Sequence, residues 1–99
     1  MIWPEDNPSK GVYGISTAAD LVGTGLQNLR LYEAKGLVSP DRTEGGTRRY
    51  SDNDVARLRR ISELLANGLN LAGVAMVLDL EVDNERLRAE LDRPDPSGR

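Results

Sequence analysis

The sequence predicts a mostly α domain, with one short two-stranded β ribbon between its helices and a short helix or tail at its end. Three observations carry this expectation. Apolar residues recur at helical spacing in four stretches between Ile15 and Leu80, each bounded by a capping residue or a glycine. The first two stretches are separated by only a few residues that include glycines. Residues 37–51, "LVSPDRTEGGTRRYS", then break the helical period with a proline and a Gly45-Gly46 pair.

Taken in order, residues 1–11 hold Pro4 and Pro8 and no apolar period, so they are expected to form a frayed lead-in from which Trp3 could dock. In "ISTAADLVG" Ser16 is placed to cap a helix of about two turns, Ala18, Ala19, Leu21 and Val22 give it an apolar side, and Gly23 ends it. In "TGLQNLRLYEAKGL" Thr24 and Gln27 have capping-box spacing, and Gly36 is the stop. Two helices joined by such a short glycine-containing link make the outline of a helix-turn-helix. At 100° per residue Leu26, Leu29 and Tyr32 share one side of the second helix, while Gln27, Arg30 and Leu31 share the other. The second side is either a solvated polar face or a base-reading one, because Arg offers a fork of donors and Gln a donor with an acceptor.

Around the Gly45-Gly46 tip, Val38 and Tyr50 suit extended chain, and a ribbon there must lean on the helices. It is either an ordinary charged hairpin or a wing whose Arg42, Arg48 and Arg49 meet phosphates. Neither nucleotide-binding glycine spacing occurs in it. Ser51 and Asp54 open a third helix with Val55, Leu58, Ile61 and Leu65 inward and Gly68 as its end. Its Arg57, Arg59 and Arg60 serve as solvated surface or supplementary phosphate contacts. Asn70 caps a fourth helix carrying Leu71, Val74, Val77 and Leu78, with Met76 as core filler or interface. "LEVDNERLRAELDRP" is expected to add a separate short helix with a Leu80, Leu87 and Leu91 stripe, broken by Pro94.

Composition narrows function. With 99 residues, 38% of them hydrophobic, and no Phe, the core is modest and a deep enzyme pocket is not expected. The chain has no Cys and no His, which excludes zinc fingers, disulfides and Cys-His or Ser-His-Asp catalysis; no metal site and no cofactor is expected. Apolar runs fall far short of the roughly 20 residues that span a bilayer, and "MIWPEDNPSK" is unlike a leader, so a soluble cytoplasmic, nucleoid-associated protein without membrane contact is expected. The net charge of −3 is unlike a nucleic-acid binder's, but its distribution is uneven. Residues 11–75 hold eight basic against seven acidic side chains and residues 77–99 four against seven, which places the surplus acid in the tail.

From Ile15 to Glu81 the chain resembles the winged-helix DNA-binding domain of the MerR family of bacterial transcriptional regulators. The motifs that carry the resemblance are "LRLYEAKGL", "SPDRTEGGTRRYS" and "NLAGV", and the last two are most similar to the HspR-type heat-shock repressors. The resemblance implies a winged helix-turn-helix over residues 12–81, with a recognition helix at Thr24–Ala34, a wing at Val38–Tyr50, and supporting helices at Asp52–Asn67 and Leu71–Leu80. Residues 82–99 remain as an acidic short helix or disordered tail. DNA-binding positions are expected at Ser16, Thr17, Gln27, Asn28, Arg30, Tyr32, Arg42, Arg48, Arg49 and Tyr50. The chain departs from the family at Leu31, where an aromatic is common, and at Thr47, where a wing aromatic is frequent, so its DNA sequence and some phosphate contacts differ. Little sequence follows Glu81, which leaves no room for a drug pocket.

The favoured function is a sequence-specific, double-stranded DNA-binding transcriptional regulator, a repressor, acting on an operator. The alternative is a winged-helix protein–protein interaction module, which would bind a protein with little sensitivity to salt. An enzyme ranks last, because no catalytic constellation is visible. Self-association is expected to be weak or DNA-assisted, with a regulatory protein as a further partner.

Overall fold

The computed structural model describes residues 7–93. Helix α1 spans Ile15–Val22, α2 Leu26–Ala34, α3 Asp52–Ala66 and α4 Leu71–Asp92; strands β1 (Asp41–Arg42) and β2 (Arg48–Arg49) form the ribbon between α2 and α3. The expected mostly helical, winged architecture is what forms. Trp3 and Pro94 lie outside the described residues.

The lead-in is tied down from Asn7 onward rather than frayed. The Asn53 amide N–H donates to the Pro8 carbonyl at 3.0 Å, and the Asn53 side chain donates to Ser9 Oγ at 3.1 Å. Further along, Val12 and Tyr13 N–H both donate to the Tyr50 carbonyl at 2.9 Å, and Tyr50 N–H returns a 2.7 Å bond to Tyr13. This antiparallel bridge lays the N-terminal segment beside β2 as a third line of the ribbon. Gly11 is required at the crossing, since a Cβ there would stand 2.6 Å from the Arg49 carbonyl oxygen.

That pairing also sets where α1 begins. The chain leaves Tyr13 extended, so Gly14 becomes the N-cap, Ser16 falls inside the first turn, and no side chain caps the helix. Ser16 is therefore not the cap its sequence context suggested. Ala18 and Ala19 face the core, and Gly23, at φ 82°, closes the helix by donating to the Ala19 carbonyl. The Thr24 N–H donates to the same carbonyl, so Thr24 belongs to the end of α1, and α2 starts from Gly25 without a side-chain cap. The Thr24–Gln27 capping box does not form; Thr24 Oγ1 instead accepts from the Asn28 amide at 2.8 Å.

The ribbon pairs Asp41 with Arg49 and Arg42 with Arg48, and the Thr43–Thr47 turn closes through Gly46 at φ 87°. The expected Ser51–Asp54 capping box is present in both directions, at 3.0 and 2.9 Å. Val55, Leu58, Ile61 and Leu64 form the buried stripe of α3, with Leu65 at its edge. Asn70 Oδ1 caps α4 by accepting from the Gly73 N–H at 2.8 Å. The core gathers Leu29, Tyr50, Leu58, Ile61 and Val74 where α1 meets α2 and α3 and where α4 meets α3.

Two tail expectations are corrected. Helix α4 continues unbroken from Leu71 to Asp92 in place of two helices, because beyond Gly73 in its first turn no Gly or Pro interrupts it as far as Asp92. Met76 is not core filler: it is 67% exposed, and Leu80, Leu87 and Leu91 are exposed along the same helix.

Candidate nucleic-acid interface

Helix α2 is amphipathic in the sense its spacing suggested, except at Leu26, which is exposed at the first position of the helix. Leu29 and Tyr32 are buried, while Gln27, Asn28, Arg30 and Leu31 are exposed. Among the described residues Arg30 has no hydrogen-bond or ion-pair partner, so its donors are available to a ligand. The Tyr32 ring packs against the core, and burial pushes its hydroxyl pKa up.

At the start of α1, Ser16 and Thr17 are exposed and the N-cap Gly14 supplies no side chain, so the first-turn N–H groups have no side-chain acceptor. The Arg49 guanidinium lies over this turn, with NH1 3.3 Å from where a Cβ of Gly14 would stand. One guanidinium thus lies beside the backbone donors of this first turn, which also carries two exposed hydroxyls. A phosphate suits that combination in charge and in hydrogen bonding. Sequence spacing does not predict the grouping, because it depends on the ribbon lying against Gly14.

The other two wing arginines are already engaged. Glu33, at the inner edge of α2, accepts from Arg48 Nε at 2.5 Å and from Arg42 NH2 at 2.8 Å, and Arg42 NH1 also donates to the Gly46 carbonyl. The hydrogen bond from Arg48 holds the Glu33 carboxyl below the usual carboxylate range, and the same contact raises the Arg48 pKa. One carboxylate therefore fixes both strands of the wing to α2. Two arginines and one glutamate leave a net charge of +1 at this point, and Arg42 and Arg48 position the wing. Glu33 is the residue that sequence reasoning missed. Its one signal is an acidic side chain in "LRLYEAKGL", between the two faces of the helix.

Tyr50 is corrected as a contact. It is 0% exposed, its hydroxyl has no partner among the described residues, and burial raises its pKa, so it supports the wing from inside. The arginines of α3 are each engaged within the protein, Arg59 while remaining exposed. Arg57 Nε donates to the Leu37 carbonyl, Arg59 donates to the Leu21 carbonyl at 3.1 Å, and Arg60 pairs with Glu81 and Glu63 at 2.9 and 2.8 Å. They staple α3 to the ends of α1 and α2 and to α4.

This arrangement has close relatives. The family model described as MerR HTH family regulatory protein matches residues 13–81, from the ribbon bridge to the Glu81 that pairs with Arg60. The chain belongs to the MerR family. A putative heat shock protein HspR of Streptomyces coelicolor is 48% identical over 86 residues, which are 86% of this chain and 55% of that one. A regulator called GlnR from Bacillus cereus is 43% identical over 74 residues, 75% of this chain and 57% of that protein. The chain thus spans little more than half the length of these MerR-type relatives. Among solved structures, HiNmlR, a MerR family regulator lacking the sensor domain and bound to promoter DNA, superposes with a TM-score of 0.67 at 28% identity, covering 80% of this chain and 63% of that one. MtaN, the N-terminus of a Bacillus subtilis multidrug transporter activator, gives 0.65 at 27% identity, covering 83% and 87%. These MerR relatives are transcriptional regulators, which are not enzymes. Among the described residues of this chain, no helix is long and apolar enough to cross a membrane.

Proposed function

We propose that this MerR-family chain is a sequence-specific regulator of transcription that binds double-stranded operator DNA, and that it acts as a repressor. The observation that carries the reading is the pairing of two surfaces on one rigid body. The exposed face of α2 offers Gln27, Asn28 and Arg30 to base edges in a major groove. The start of α1, with Ser16, Thr17 and Arg49, offers a phosphate site beside it. Repression is inferred from the likeness to HspR, and a cytoplasmic, nucleoid-associated location follows from DNA as the target. Residues 12–81 are the DNA-binding unit in this reading, and the rest of α4 leads away from it.

Two copies act together. One winged helix covers few base pairs, and two-fold sites need two copies at fixed spacing. The exposed Leu80, Leu87 and Leu91 of α4 form the seam, but a stripe this small offsets little of the several kcal/mol that association costs at about 25 cal/mol per Å². Pairing is therefore weak in free solution and completed on DNA.

Selection from a random duplex pool tests the reading. Enrichment of a two-fold sequence, bound cooperatively and with strong salt dependence, is the expected result. Failure to enrich any sequence, together with salt-insensitive capture of a protein, would replace it with the protein-binding module.

A further inference from the structure

The exposed face of α2 contains one side chain that polar recognition does not use. At 100° per residue the exposed Arg30, Ala34, Gln27, Leu31 and Asn28 follow one another around a single arc of the helix, and Leu31, between Gln27 and Asn28 on that arc, is 41% exposed. A lone exposed leucine on a protein surface is ordinary. This one is different because of its neighbours: it stands one turn beyond Gln27 and next to Arg30, and the buried side of the helix is already filled by Leu29 and Tyr32. If this face enters a major groove, Leu31 must be desolvated against the edge of a base pair.

We infer that Leu31 is a specificity-determining residue that selects thymine through its C5 methyl group. The inference rests on the DNA-binding reading above and adds which base is chosen and by which atoms. Every other major-groove edge presents donors or acceptors that a leucine would strip of water without replacing their hydrogen bonds, at a cost. The thymine methyl is the one apolar group available there, and covering it removes apolar surface of both partners from water. Four residues along a helix span about 6 Å, so the thymine lies within roughly two base-pair steps of the position that depends on Gln27.

The test uses the full chain and the duplex sequence it selects. Each thymine of a half-site is replaced in turn by deoxyuridine, which removes only the methyl group, and affinity is measured for the wild type, Leu31→Ala and Leu31→Gln. At one position per half-site the wild type should lose about fourfold, as expected for one buried methyl. Both variants should bind the thymine and uracil duplexes equally there while retaining the wild-type circular dichroism. The inference is overturned if no thymine shows a methyl effect, or if the effect persists undiminished in Leu31→Ala, since another residue then reads it. Failure to select any sequence overturns the DNA-binding reading itself, and this inference with it.

Discussion

Replacing Glu33 by glutamine keeps the shape of the side chain and removes the charge that Arg42 and Arg48 share. Glu33 holds them at 2.8 and 2.5 Å with its own side chain 20% exposed, so its hydrogen bonds are charge-assisted but partly screened by water. With that screening taken into account, Glu33→Gln is expected to cost about 1 kcal/mol. For a domain of this size the loss lowers Tm by about 4 to 8 °C. The sign of the pH dependence follows from the carboxyl, whose folded pKa lies below its ordinary value of 4.5. Its contribution is complete at neutral pH and is lost as pH falls through the folded value, so the two proteins should converge in stability in acid. On DNA the substitution changes the local charge from +1 to +2 and lets the wing move relative to α2. Random duplex should therefore bind more tightly, with a salt slope steeper by up to about 0.9, while the preference for the selected sequence shrinks. Thermal melts from pH 7 to pH 3 and anisotropy titrations at several salt concentrations measure both effects. An unchanged Tm with an unchanged salt slope would refute the role given to Glu33.

Other substitutions test the remaining assignments. Tyr50→Phe keeps the buried ring and removes a hydroxyl without a partner, so it should leave stability equal or raised by about 1 kcal/mol in a denaturant melt, with DNA affinity unchanged. Gly11→Ala places a Cβ 2.6 Å from the Arg49 carbonyl and should cost about 1 to 3 kcal/mol by forcing the N-terminal segment off β2, a loss that hydrogen exchange at Tyr13 and Tyr50 would localise. Leu87→Asp should leave a mostly monomeric protein monomeric in sedimentation at micromolar concentration yet reduce cooperativity on a two-fold site; a tight wild-type dimer without DNA would contradict the weak seam.

The parts of the fold that were legible in sequence are those decided locally. Gly23 and Gly36 mark helix ends by taking positive φ, and Ser51 with Asp54 completes a capping box three residues apart. The apolar periods of α2 and α3 show which sides are buried. The helix starts at Ser16 and Thr24 were misjudged because tertiary pairing decided them: the Tyr13–Tyr50 bridge fixes the start of α1, and Thr24 is taken up by its end. Tyr32 and Tyr50 were ambiguous because a tyrosine has an apolar body and a polar tip, and only packing decides which one matters. Apart from the Arg60–Glu63 pair, the arginines of α3 find partners 20 to 38 residues away along the chain, a separation at which spacing carries no signal. Glu33 and Arg48 are likewise brought together only by the ribbon folding back on α2.

The central claim is that α2 reads sequence while the start of α1 and Arg49 hold phosphate. Anisotropy titrations of Arg30→Ala and Arg49→Ala on the selected duplex and on a scrambled one, across a range of salt concentrations, test it most directly. Arg30→Ala should lose about 1 to 3 kcal/mol on the selected duplex alone. Arg49→Ala should weaken binding to both duplexes alike and flatten the salt slope by about 0.9. Equal loss on both duplexes for Arg30→Ala, or no change in salt slope for a folded Arg49→Ala, would contradict that division of roles.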